Sequence, residues 1–273
     1  MGAIAMSKPI AHPDLLTLLK QGADAWNEWR QTHLTRLGIK LDLSGVALQG
    51  SELRGVVLSK AILTDVDLHE ADLIRADFHQ ANLRGSNLSG STLQWANLHE
   101  ANLERANLNS ADLMEANLEV AVLTEAQLRQ ANLQKARLYL AVLNRADIRN
   151  ADLYRADLSG TDLSDSDLRG VNLRSANLKG ANLSSANLAF ADLTDANLQG
   201  ANLQGANLSG TDLSSADFRD SDLYGANLQE AYLYRAMLRG ADLRWADMTN
   251  ADLTGADFTA ATLDDAETQG ATW

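Results

Sequence analysis

The chain has 273 residues, a formal net charge of −13, 5% aromatic content and no cysteine. That excludes a disulfide-stapled scaffold, a thiol nucleophile and a basic surface built for phosphate backbones, so direct nucleic-acid binding is not expected. The length suits one substantial core, which leucine and alanine must fill because aromatic residues are so few.

The opening stretch MGAIAMSKPIAHP lacks a charged segment followed by an apolar one, and no run approaches the length needed to span a membrane. The expectation is a cytoplasmic protein without a membrane partner, with residues 1–13 a disordered N-terminus or an expression scar. Residues 14–40 read differently. Asp14 can cap a helix after Pro13, and Leu15, Leu18, Leu19, Ala25, Trp26 and Trp29 form an apolar stripe interrupted at Gly22. This predicts a short α-helical cap with Trp26 and Trp29 over the open end of the segment that begins at Leu41. The alternative is an amphipathic helix that binds a partner.

From Leu41 to Asp265 the chain is forty-five consecutive five-residue units without an insertion. Position three is Leu in forty of them, with Phe78, Ile148, Phe218, Met248 and Phe258 in the others; position one is Ala in thirty-three. None of these 90 positions is charged, where random placement at 22% charge would put about 20. The register therefore separates inside from outside.

A residue recurring every five would spiral around a helix, and an ordinary strand needs period two throughout. Positions one to three therefore predict a short strand, and positions four and five a corner. Fourteen of eighteen glycines lie at position five, where a tight turn often requires positive φ. Four leucines and four alanines fill a square layer at crystal-like density, so a coil of twenty residues is expected. Phe78, Phe218 and Phe258, separated by multiples of twenty, then share one side. The expected fold is an all-β solenoid of about 11 coils, roughly 54 Å long at the spacing of β-strands.

The units ADLYR, ANLQG, ADFRD and ANLSG resemble the pentapeptide-repeat family, written A(D/N)LXX, and LLTLLKQGADAWNEWR looks like the N-terminal segment of cyanobacterial members. The resemblance implies a right-handed, four-sided (quadrilateral) parallel β-helix. Acidic members of the family include proteins that protect DNA gyrase by imitating duplex DNA. The charge here is uneven, however: residues 41–120 carry 12 acids and 5 bases, 121–180 carry 7 and 9, and 181–265 carry 13 and 4. A DNA mimic needs a continuous negative stripe, and the middle interrupts it.

Position two is Asp eighteen times and Asn fifteen times, which predicts outward polar ladders. In the middle coils Val120, Val122, Tyr139, Leu140 and Val142 fall at outward positions around one corner. They are expected to form a partner contact or, alternatively, packing that only stabilises the coil. Arg129, Arg149 and Arg169 form one row, able to hold an anion or to be neutralised by Asp147 and Asp167. Arg105, Glu125, Arg145 and Asp165 form another row that alternates in sign. Tyr224, Tyr232, Tyr234, Met237 and Trp245 make a second, more scattered outward group. His79, His99 and Glu119 share a column, yet nothing supplies a fourth metal ligand. Residues 266–273 read as a C-terminal tail.

No P-loop, dinucleotide fingerprint or loop-built pocket appears, so neither an enzyme nor a cofactor is expected. The functional expectation is a non-enzymatic protein-binding or scaffold rod that meets an unidentified protein or a second copy of itself. The runner-up is a DNA-mimicking modulator of gyrase or another topoisomerase.

Overall fold

The computed structural model describes residues 12–37 and 41–273; residues 1–11 of the N-terminus expected over 1–13, and residues 38–40 of the cap expected over 14–40, lie outside that range. Helix α1 spans His12–Lys20 and α2 spans Ala23–Leu37, with the chain breaking at Gly22, whose φ is 107°.

Among the described residues there is no β-strand and no sheet, which corrects the expected all-β solenoid and parallel β-helix. The two helices are the only extended regular elements described. What the repeat forms is a succession of turns joined by single-residue parallel bridges: Asp67 pairs with Asn87, Asn87 with Asn107, and so on at twenty-residue intervals. The spacing is the one that leucine packing predicts; the strands are not there.

One unit, Ala71 to Arg75, shows why no strand can grow. The Asp72 N–H donates to the Ser51 carbonyl at 3.0 Å on one side, and the Leu73 N–H to the Thr92 carbonyl at 2.8 Å on the other. The Ala71 N–H closes a turn onto the Leu68 carbonyl at 3.1 Å, and the Arg75 N–H reaches the Gln94 carbonyl at 2.9 Å. Only position two lies between corners, so a ladder cannot run to a second consecutive residue. Position five is left-handed whether or not it is glycine: Arg75 has φ 57° and Leu140 φ 55°. Each non-glycine residue there costs about 1 kcal/mol, which the surrounding hydrogen bonds must offset.

The remaining donor in the unit explains the Asp and Asn at position two. The Ile74 N–H donates to Asp72 Oδ1 at 3.1 Å, and this contact recurs from Ser44 to Thr259. Asn also links coils, since Asn87 Nδ2 donates to Asp67 Oδ1 at 3.0 Å and Asn107 Nδ2 to Asn87 Oδ1 at 3.1 Å. A carboxylate can only accept, so such a chain starts at an Asp and continues through Asn.

Inside, position-one and position-three side chains from Leu41 to Leu253 are buried, apart from Ser51. Buried hydroxyls at Ser91, Thr161, Ser166, Thr211 and Ser221 donate to a carbonyl three residues back, as where Ser91 Oγ reaches the Leu88 carbonyl at 2.7 Å, whereas the Ser86 hydroxyl is buried without a partner. Helix α2 lies against the first coil. Trp26 is fully buried and its Nε1 donates to the Val57 carbonyl at 2.9 Å, while Trp29 is partly buried, 5.4 Å from the Trp26 ring.

Candidate functional site

Apart from the buried Ala189, the corners present positions four and five to solvent, so surface chemistry is set by columns of residues twenty apart. In the middle coils, Val122 and Val142 pair directly as bridge residues. Val120 and Leu140 occupy the neighbouring position-five column, and the Val120 N–H donates to the Tyr139 carbonyl at 2.9 Å. Tyr139 and Leu140 are each 46% exposed, Val120 and Val122 are also exposed, and Val142 is half-buried. Leu140 leans over the next coil, where a Cβ added at Gly160 would lie 2.8 Å from its Cδ2. The five residues thus sit together at one corner. At position two, valine also forgoes the acceptor that Asp or Asn gives to the N–H two residues on.

The arginine row is built around two stacked carboxylates. Arg149 donates through Nε and Nη2 to Asp147, both at 2.8 Å, and its Nε lies 3.4 Å from Asp167. Arg129 Nε donates to Asp147 at 2.6 Å, and Arg169 grips Asp167 at 2.8 and 2.7 Å. Burial alone would raise the Asp147 pKa, but hydrogen bonds from Arg149, Arg129 and the Arg149 backbone prevail and bring it to about 2. A folded-state pKa below the ordinary 3.8 stabilises the fold above that value, and the contribution disappears as pH falls through about 2. Because the group is partly solvated, Asp147→Asn should cost on the order of 1 kcal/mol at pH 7. The difference from the parent protein should shrink in urea titrations repeated between pH 4 and pH 2. A constant difference would exclude the ion pairs as its cause.

Arg105 pairs with Glu125 at 2.8 Å in the neighbouring row of alternating sign. The C-terminal group divides. Tyr224 and Trp245 share one corner, Tyr232 and Tyr234 lie about half a coil away, and Met237 sits on the face beyond. Arg244 and Arg235 cover the Tyr224 and Tyr234 rings at 5.7 and 5.0 Å. The His79 and His99 rings lie 5.3 Å apart, tilted by 32°, but Glu119 accepts a hydrogen bond from Arg137. Among the described residues no group of three or more His, Cys, Asp or Glu side chains could hold a metal, and no helix is long and apolar enough to cross a membrane.

Phe190 carries no local sequence signal, yet it is 75% exposed at a left-handed position-five site with φ 60°. Aligning the chain at period twenty places it between Gly170 and Gly210, and that was the available signal. Asn27 and Arg30 are equally silent in sequence, because an isolated amphipathic helix does not show which polar groups face a carbonyl edge.

No curated protein matches the chain. Among solved structures, HetL, a pentapeptide repeat protein involved in heterocyst differentiation regulation from the cyanobacterium Nostoc sp. strain PCC 7120, is 33% identical. That match covers 90% of this chain and 95% of HetL, with a TM-score of 0.36. Rfr23 from the cyanobacterium Cyanothece 51142 is 32% identical over 41% of this chain and 90% of its own, with a TM-score of 0.40. The protein alr5209 from Nostoc PCC 7120 is 37% identical over 39% of this chain and 83% of its own, with a TM-score of 0.30. The family described as Pentapeptide repeats matches in eight copies that together run from residue 42 to residue 265. With that match spanning most of its length, the chain belongs to the pentapeptide-repeat family.

Proposed function

We propose that the chain is a non-enzymatic binding protein whose middle coils contact a protein partner through Val120, Val122, Tyr139, Leu140 and Val142. The observation that carries this reading is the pair Val122 and Val142. Thirty-three of forty-five units keep Asp or Asn at position two, where the side chain closes the unit's own backbone. These two units give up that hydrogen bond for half-exposed apolar surface. Burying the patch against a partner would return a gross 3 to 6 kcal/mol or so, before the cost of association. The acidic segments on either side disfavour indiscriminate stacking of copies.

The test is a variant that improves the fold while erasing the patch. In Tyr139→Asn, Leu140→Asn, Val142→Asn, the side chain introduced at position 142 supplies the missing acceptor for the Asn144 N–H, and asparagine tolerates the left-handed site at 140. The variant should melt at or above the parent temperature while losing at least tenfold of its affinity for whatever the parent protein binds, a second copy included. Equal partner recovery and equal oligomeric state by light scattering would reduce the patch to ordinary packing.

The gyrase-mimic reading draws on the two acidic segments. Residues 121–180, with 9 bases against 7 acids, stand between them and weigh against it. A supercoiling assay separates the readings: inhibition of gyrase that survives the triple substitution would favour the mimic.

A further inference from the structure

Half a coil from the apolar corner, ten residues on, lies a feature of different chemistry. A depression of about 320 Å³ is lined by Arg149, Asn150, Arg169, Gly170 and Phe190. Gly170 is its floor, because the missing side chain leaves a gap one coil wide between Asn150 and Phe190. The Asn150 amide leans into that gap, with Oδ1 2.6 Å from where a Gly170 Cβ would be. On the far side the Phe190 ring lies against Gly210, 2.9 Å from the position a Cβ would take there. Phenylalanine at this site is costly twice over: it adopts a left-handed backbone and leaves most of its ring in water.

The charge count adds a second, independent observation. Three guanidiniums face two carboxylates in this row, and the row is bounded by neutral residues: Asn109 and Gln127 on one side, Asn187 and Ala189 on the other. Along the row one positive charge is left over in a chain whose net charge is −13, because Arg129 and Arg149 share the single carboxylate of Asp147. Each guanidinium carries five donors, and Arg149 and Arg169 each direct two of them at the Asp of their own unit. Donors remain beside the depression for a further acceptor. Two guanidiniums and an aromatic ring that line one depression match a carboxylate with an apolar neighbour.

We propose that the Arg149, Arg169 and Phe190 depression binds an acidic segment of a partner protein, one glutamate or aspartate carboxylate against the guanidiniums and an adjacent apolar side chain on the Phe190 ring. The site is separate from the central apolar corner and does not depend on it. A second copy of this acidic chain is a poor occupant, since the two net charges repel.

The experiment uses the full chain and fluorescein-labelled peptides followed by anisotropy at low salt. One peptide alternates Glu with Leu, a second replaces each Glu by Gln, and a third replaces each Leu by Ser. The Glu–Leu peptide should bind, and both altered peptides should bind at least fivefold more weakly. Arg169→Gln and Phe190→Ser should each lower affinity for the Glu–Leu peptide about fivefold or more, and raising salt should weaken binding to the parent protein. Serine already occupies the same column at Ser110 with φ 56°, so Phe190→Ser keeps the backbone. The triple variant of the central corner should bind the peptide as the parent does, which separates failure of this site from failure of that one. The proposal is overturned if the Gln–Leu peptide binds equally well, if neither single substitution weakens binding, or if 10 mM inorganic phosphate displaces the peptide completely, which would mark a site for anions alone.

Discussion

Replacing Leu133 with Asp should abolish the cooperative unfolding transition of the middle coils. Leu133 is 1% exposed and belongs to the position-three column that contains Leu113 and Leu153 at twenty-residue spacing. A carboxylate there has only aliphatic neighbours, and neither protonation nor trapped water fully relieves it, so the cost exceeds roughly 4 kcal/mol. Leu133→Ala, which only leaves a cavity, should cost about 2 to 5 kcal/mol. Because each coil touches only the one before and the one after, the damage stays local. Limited proteolysis of the Asp variant should open the chain between about residues 113 and 153, while flanking fragments resist. An unchanged urea midpoint with no new cleavage would mean that position three does not face the core at that coil.

The inside and outside of this molecule are legible in sequence because the separation is chemical: position one is small, position three is bulky, and neither is ever charged. Twenty-residue spacing follows from filling a layer with those residues, and Phe78, Phe218 and Phe258 fall on one side as a result. The strand expectation fails for a reason the sequence also contains. A position-five corner recurs after every position-three leucine, which leaves one residue per unit free to bridge and no room for a second. Alternation between Ala71 and Leu73 looks like a strand only until the turn from Leu68 to Ala71 is drawn. The role of Asp and Asn was half visible. Outward stacking can be read from spacing, but the bond to the unit's own backbone needs the turn geometry. Surface sites are harder still, because a corner brings together residues five, ten or twenty apart. Val120, Val122, Tyr139, Leu140 and Val142 stand out as a run of apolar exceptions, whereas Phe190 is a single exception and needs the glycines above and below it in its column, Gly170 and Gly210, to be noticed.

Removing Trp26 should destabilise the first coils more than any other single truncation in the helices. The first coil has no predecessor to accept from and donate to it, and α2 supplies substitutes along residues 55–59. Asn27 does so in both directions: its Oδ1 accepts from the Val57 N–H at 2.9 Å, and its Nδ2 donates to the Gly55 carbonyl at 3.0 Å. Trp26 Nε1 takes the Val57 carbonyl, and Arg30 Nη2 takes the Ser59 carbonyl at 2.9 Å. Burial lowers the Arg30 pKa, with nearby Asp77 acting against the shift, so this guanidinium is held where its hydration is curtailed. Asn27→Ala strands two partly buried backbone groups and should cost about 1 to 3 kcal/mol. Trp26→Ala loses a fully buried indole as well as its hydrogen bond, and should cost about 3 to 5 kcal/mol. Deleting residues 1–40 goes further, because it leaves the apolar ends of Leu41, Leu43 and Leu48 and a row of unpaired carbonyls facing water. Such an end is a template for another chain, so the truncated protein should associate end to end in light scattering and lose thermal stability. If it stays monomeric and melts at the parent temperature, the helices serve a partner and the first coil closes itself.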